Sequence, residues 1–226
     1  MKAPDFDHSL SIKRFVGTLW VVVGALLLIH VVLNLIHYEV QRLPWLVRQI
    51  FDVDEEDSFP TWYSASALLL TAAVLWVNAR YHRKAGNSLT WHWYGLAVGF
   101  LLLSVDEIAG MHETLNSVID VSWAIPGGIL ALFIGGVYLS FLFQIEKKTA
   151  ISFVVGGVIF LGGAVGVEFL TEPYLENDEL NTLAYNLWTA VEEGMEMGGV
   201  LIFLKALLLS MKSGLPAGSV RIKLLD

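Results

Sequence analysis

The sequence predicts an all-α, polytopic membrane protein: one domain over residues 1–226, with six transmembrane helices and both termini in the cytoplasm. Three observations lead there. Hydrophobic residues fill 55% of the 226 positions and charged residues only 16%, with a mean hydropathy of +0.62, which lies outside the composition of a water-soluble domain. The apolar residues gather into stretches of about 20, the length that crosses a hydrocarbon core about 30 Å thick. The lysines and arginines fall in alternate connectors, which sets an orientation because basic residues resist translocation. Two function classes are set aside at once. The absence of cysteine excludes disulfides, thiolate metal sites and a cysteine nucleophile, and the net charge of −8 disfavours a nucleic-acid partner.

The first span is expected over about 15–38. It is too long for a removable signal peptide and lacks the small-residue cleavage site. Trp45, Leu46, Ile50 and Phe51 follow, interleaved with Arg42 and Arg48, a pattern suited to a short helix lying in the interface. Ser58 and Pro60 mark the start of the second span, 61–78, with serine near the cap and proline in the first turn. The remaining spans are expected over about 91–113, 124–143, 151–170 and 182–209. The second and fourth carry no acid or histidine at depth, so they are expected to complete the wall and face lipid. The glycine-rich stretch 156–166, with Gly198 and Gly199, reads as close helix packing. Trp45, Trp62 and Trp123 are placed as outer interface anchors, and Trp91 and Trp93 as inner ones.

Orientation follows from the connectors. Lys2, Lys13 and Arg14, then Arg80, Arg83 and Lys84, then Lys147 and Lys148, and finally Lys212, Arg221 and Lys223 share one side. The opposite loops hold only Arg42 and Arg48, among Asp52, Asp54, Glu55, Glu56, Asp57, Asp120, Glu172, Glu176, Asp178 and Glu179. That assignment puts both termini in the cytoplasm and the acidic loops outside.

The polar residues within the spans carry the functional expectation. An ionised group in hydrocarbon costs about 2.5 to 3.5 kcal/mol on insertion scales, so such groups normally face a protein interior. His30, Asn34 and His37 share one stripe of the first helix. On the third, Asp106 and Glu113 stand two turns apart, with Glu107 and His112 diverging to either side. The fifth brings Glu168, on a face with Leu161, Ala164 and Val165, and the sixth brings Glu192, Glu193 and Glu196 below Tyr185 and Thr189. At a rise of about 1.5 Å per residue, His30, Asp106 and Glu168 lie roughly 22 to 26 Å from the cytoplasmic ends, a level that overlaps the sixth helix's glutamates. So many carboxylates in one low-dielectric pocket repel one another unless they are protonated, hydrated or neutralised by cations. Oxygen and imidazole donors without sulfur suit iron, manganese or zinc, and two metals balance the charge better than one. The metal-ligand candidates are Asp106, Glu107, His112, Glu113, Glu168, Glu192, Glu193, Glu196, His30 and His37. Di-iron bundles use Glu-x-x-His pairs; Glu193 and Glu196 supply only Glu-x-x-Glu.

Three motifs carry a resemblance: Phe-Pro-Thr-Trp-Tyr-Ser from Phe59, Leu-Ser-Val-Asp-Glu-Ile-Ala-Gly-Met-His-Glu from Leu103, and Glu-Glu-Gly-Met-Glu-Met-Gly from Glu192. Together they resemble an uncharacterised family of small bacterial six-helix integral membrane proteins. The resemblance implies that these positions act together and brings no activity with it. The residues themselves point first to a membrane metalloprotein, with oxidoreductase chemistry as one use of the metal. A divalent-cation or proton transporter using the same acids comes second, and a non-catalytic subunit of a larger membrane complex third. Lipid and metal ions are the expected partners.

Overall fold

The computed structural model describes residues 11–112, 114 and 122–214, and among these the chain is helical with no strand. Helix α1 is Ile12–Leu35, continuing into a π-helical turn, Ile36–Val40; α2 is Trp45–Gln49, α3 Phe59–Lys84, α4 Thr90–Ala109 and α5 Ala124–Gln144. Helix α6, Lys147–Leu161, passes through a second π-turn, Gly162–Val167, into α7, Glu168–Glu176, and α8 is Leu183–Gly214. Five stretches are long and apolar enough to cross a membrane: Ile12–Val40, Phe59–Lys84, Ala124–Gln144, Lys147–Glu176 and Leu183–Lys212. The remaining expected span, 91–113, is α4. Its apolar middle is bracketed by a start rich in tryptophan and histidine and by Asp106 and Glu107, and it stops at Ala109.

Local chemistry explains the boundaries. The Ser58 side chain accepts a hydrogen bond from the Thr61 N–H at 3.3 Å, with Pro60 in the first turn, so α3 begins where its sequence predicts. Helix α4 ends because Gly110 takes φ 50° and ψ 41°, the left-handed region that favours glycine. A Cβ there would also collide with the Glu56 carboxylate. The segment expected to carry one helical face from Asp106 through to residue 113 is therefore broken at Gly110.

Helix α8 is the hub, packed against α1, α3, α6 and the second π-turn. Val23 of α1 meets Met197, Leu201 and Leu204 of α8, while Leu68 of α3 meets Val200. Nearer the α3–α4 turn, Leu75, Trp93, Phe141, Phe153, Phe203 and Leu207 form a third cluster. Two expectations are corrected here. Helix α3 is central rather than peripheral: Ser64, Ala65, Ala67, Ala72 and Ala79 are buried along it. Small residues let backbones approach, and in a bundle surrounded by lipid that matters more than the absence of acids. Trp93 is 3% exposed and belongs to the core, whereas its neighbour Trp91 is 78% exposed; α4 turns Thr90, Trp93, Ala97 and Ser104 inward as one stripe. Helix α5 does face outward, with Leu132 at 79% and Phe143 at 82% exposure.

Helices α6 and α8 touch backbone to backbone. A Cβ added to Gly156 would lie 2.8 Å from the Gly199 carbonyl oxygen, and one added to Gly199 would lie 2.6 Å from that of Gly156. The alternation of the helices leaves two unlike ends. At one, the end of α3, the start of α4, the α5–α6 connector and the end of α8 surround a cavity of about 220 Å³. Arg80, Arg83, Lys84, Lys147, Lys148 and Lys212 cluster towards this basic end. At the other, acidic end, α1 meets the start of α8 through His30 and Asn186, and the loop at 50–58 folds onto α4 and α8.

Candidate functional site

The acidic end is built from four elements. The reversal at Gly110 swings His112 back over α4, so that its backbone N–H donates to Asp106 Oδ1 at 3.1 Å and its ring Nδ1–H donates to Asp106 Oδ2 at 2.9 Å. A carboxylate holding Nδ1 fixes both ring orientation and tautomer. The Trp123 ring backs the imidazole at a centroid distance of 5.6 Å. A continuous helix sends these two side chains to diverging faces, as the spacing predicts; the left-handed glycine pairs them instead.

Glu107 lies one residue along α4 and hydrogen-bonds the Ser64 side chain of α3. It interacts electrostatically with Asp106 and His112, and with Glu193 and Glu196 of α8. Glu192 interacts with Glu168 and His112, and Glu196 with Glu168 and Asp106. Asp106, Glu107, His112, Glu168, Glu192, Glu193 and Glu196 thus form one coupled group drawn from α4, α7, α8 and the segment after Gly110. Glu193 and Glu196 are surrounded by protein, yet retain partial accessibility to a water-sized sphere.

The second π-turn explains how Glu168 joins. An extra residue in a turn rotates everything after it by about 100°. Leu161, expected on the face of Glu168, is accordingly 39% exposed, while Glu168 opens α7 towards the start of α8. Gly163, inside the π-turn, sits against the Glu192 backbone: a Cβ there would fall 2.7 Å from the Glu192 carbonyl oxygen.

The acidic loop, which the sequence places among the outer connectors, also contributes residues to this end. Asp54 accepts a hydrogen bond from Tyr185 at 3.1 Å and interacts with Glu192 and Glu193. Asp52 is 9% exposed and its Oδ1 lies 3.3 Å from His30 Nδ1. Gln49 ties down Glu55 and Asp57 at 2.7 and 2.9 Å. The signal for this lid was Tyr185, a phenol on the glutamate stripe of α8 that needs a partner above it.

The contacts of His30 and His37 lie outside the group of α4, α7 and α8 carboxylates. His30 is 1% exposed; its Nε2–H donates to the Asn186 carbonyl at 2.9 Å and its Nδ1 accepts the Val53 N–H at 3.2 Å. Both nitrogens are occupied, and the ring ties α1 to the lid and to α8. His37 lies in the first π-turn, where Nδ1 accepts the Leu43 N–H at 3.0 Å and Nε2 sits 3.4 Å from Arg48. Glu113 lies outside the described residues, as do Asp120 and the two chain termini.

Among the described residues, no three His, Asp or Glu side chains converge tightly enough to hold a metal ion as they stand. The carboxylates lie within electrostatic reach of one another but do not form a finished cage. No curated protein and no solved structure matches the chain. One family model does, over residues 16–211, from the first helix to the end of the last and including every residue of the coupled group. The chain therefore belongs to the family described as a domain of unknown function, DUF8692.

Proposed function

We propose that this chain is an integral membrane metalloprotein that takes divalent transition-metal ions, iron, manganese or zinc, into the carboxylate chamber of its acidic end. The observation that carries the reading is the joining of Glu107, Glu168, Glu192, Glu193 and Glu196, from three helices, into one coupled group with His112 as its basic neighbour. So many buried acids persist only if protonated, hydrated or neutralised by cations, and oxygen with imidazole is a donor set for these metals. Glu107, Glu193 and Glu196 would hold the ion from facing helices, with Glu168, Glu192 and His112 completing the set. Asp106 orients His112. A bound metal supplies Lewis-acid or redox chemistry there, and a carboxylate outside the ligand set moves protons between the chamber and the lid.

The topology assigned to this function has six spans, α4 included, in a bacterial cytoplasmic membrane, with the basic end and both termini facing the cytoplasm. The distribution of Lys and Arg supports it. Elemental analysis of protein purified without chelator tests the function. We expect stoichiometric transition metal, lost when Glu193→Gln and Glu196→Gln are combined; no stoichiometric metal in the wild type, even after reconstitution, overturns it.

A second reading is proton or divalent-cation carriage by the same acids. It is favoured by the spread of the carboxylates through the chamber instead of around one point. Liposomes decide between the two: a cation or proton flux abolished by Glu193→Gln supports carriage, and a flux indifferent to that change removes it.

A further inference from the structure

The end of α1 opens on a second concave site, formed where the first π-turn meets the segment that carries Arg42 and Arg48. A cavity of about 690 Å³ is lined there by His37, Tyr38, Glu39, Arg42 and Arg48, with Asn181 closing it from the α7–α8 connector. Its volume falls within the range of about 300 to 1,000 Å³ that holds small ligands.

The hydrogen bonds of this wall do not close among themselves. The Leu43 N–H donates to His37 Nδ1 at 3.0 Å, so that nitrogen carries no proton and the ring's one N–H sits on Nε2. Facing Nε2 at 3.4 Å is Arg48 Nη1, and a guanidinium nitrogen only donates. Two donors cannot satisfy each other. Both side chains are partly exposed and both line the cavity, so an acceptor seated there takes the two N–H groups together.

The charge of that acceptor follows from the same wall. Arg48 Nη2 donates to Asn34 Oδ1 at 3.3 Å, and the guanidinium lies 5.4 Å from the centre of the Tyr38 ring, so its neighbours hold it in place without neutralising it. Arg42 also acts electrostatically on His37. Neither arginine forms an ion pair with a described residue, Glu39 included, and the wall keeps two cations to one anion. A planar fork of donors with excess positive charge is a site for a phosphate. The surroundings say which kind. Val40, on the wall itself, is 76% exposed, and Trp45 and Leu46, between the two arginines in sequence, are 72% and 57% exposed. They stand where the apolar stretch Ile12–Val40 ends, the level at which lipid head groups meet water.

We propose that this cavity binds the phosphate head group of an anionic membrane lipid, whose oxygens accept from His37 Nε2–H and Arg48 Nη1–H. Arg42 adds charge at the rim, and the acyl chains run along Val40 and α2. The site rests on no part of the metal reading.

The test uses the full chain in detergent micelles with ¹⁵N-labelled histidine, the His37 ring signals being assigned by their loss in His37→Gln. Short-chain phosphatidylglycerol is titrated in one arm, phosphatidylcholine with the same chains in a second, and inorganic phosphate in a third. The expected result is a saturable movement of the His37 Nε2 signal with phosphatidylglycerol, an apparent affinity about tenfold weaker in Arg48→Gln, and no saturation in the other two arms at equal concentration. Arg42→Gln changes an exposed side chain, and a several-fold weakening there supports the same conclusion should Arg48→Gln fold poorly. A His37 signal unmoved by phosphatidylglycerol, or an affinity indifferent to both arginine variants, overturns the proposal. Equal saturation by phosphatidylcholine or by inorganic phosphate overturns the anionic lipid as the occupant.

Discussion

The two ends of this bundle carry opposite imbalances. At the acidic end Glu107, Glu168, Glu192, Glu193 and Glu196 crowd together as acidic side chains, beside a loop that adds Asp52 and Asp54. At the basic end the surplus is of donors: Asn78 Nδ2 and Trp93 Nε1 are buried unpaired beside a cavity. The comparison teaches that a buried polar group specifies its absent partner by what it lacks. Crowded acids need protons, water or cations beside them, and a buried donor without a partner costs about 1 to 3 kcal/mol. Helix α8 and helices α3 and α4 run through both ends, so the difference lies in side chains and not in architecture.

The comparison breaks most severely where packing holds the acidic end closed. Gly199→Leu forces α6 from α8 at the Gly156 contact and with it separates Glu168 from Glu192. The expected loss is about 3 kcal/mol, the upper part of the overpacking range, read by unfolding in detergent. A variant as stable as the wild type would show that the chamber does not depend on that contact.

Asp106→Asn sharpens the comparison next. It keeps the shape and removes the charge that holds His112. Metal affinity is expected to fall about 10 to 100-fold in a chelator-competition titration, with the indole NMR signal of Trp93, at the basic end, unmoved. A change at both ends together would mean that the two ends are one structural unit.

Tyr185→Phe loosens the lid by removing the hydrogen bond to Asp54. About 1 kcal/mol is expected from that bond, and it is best read as a faster release of metal into chelator at an unchanged total content. The smallest effect is expected from Ser104→Ala, which deletes the 2.8 Å bond from Ser104 to the Ala65 carbonyl between the ends. Interhelical bonds of this kind are worth about 0.6 kcal/mol in membranes, and neither metal content nor the Trp93 signal should change.

Much of this was legible from the chain alone, for identifiable reasons. The apolar stretches follow from the thickness of hydrocarbon, and the start of α3 from Ser58 and Pro60, which act within one turn. The level of the acids follows from counting residues along helices. The pairing of Asp106 with His112 does not follow, because the spacing places Gly110 inside a continuous helix whereas its left-handed conformation breaks that helix. The placement of Glu168 opposite Leu161 was hidden too, since one π-turn rotates the register and leaves no mark in hydropathy. Trp93 reads as an interface anchor until the inward stripe of α4 is known.

The sequence by itself determined that the chain is a bundle of apolar helices with buried acids on several of them, because helix length and side-chain depth are properties of single segments. Which acids meet, that the acidic loop covers them, and that two donors stand unpaired at the other end were decided only by the tertiary structure. Those are relations between segments distant along the chain, set by backbone contact at Gly156 and Gly199, by one glycine reversal and by one π-turn, each a matter of a few ångströms that no residue count records.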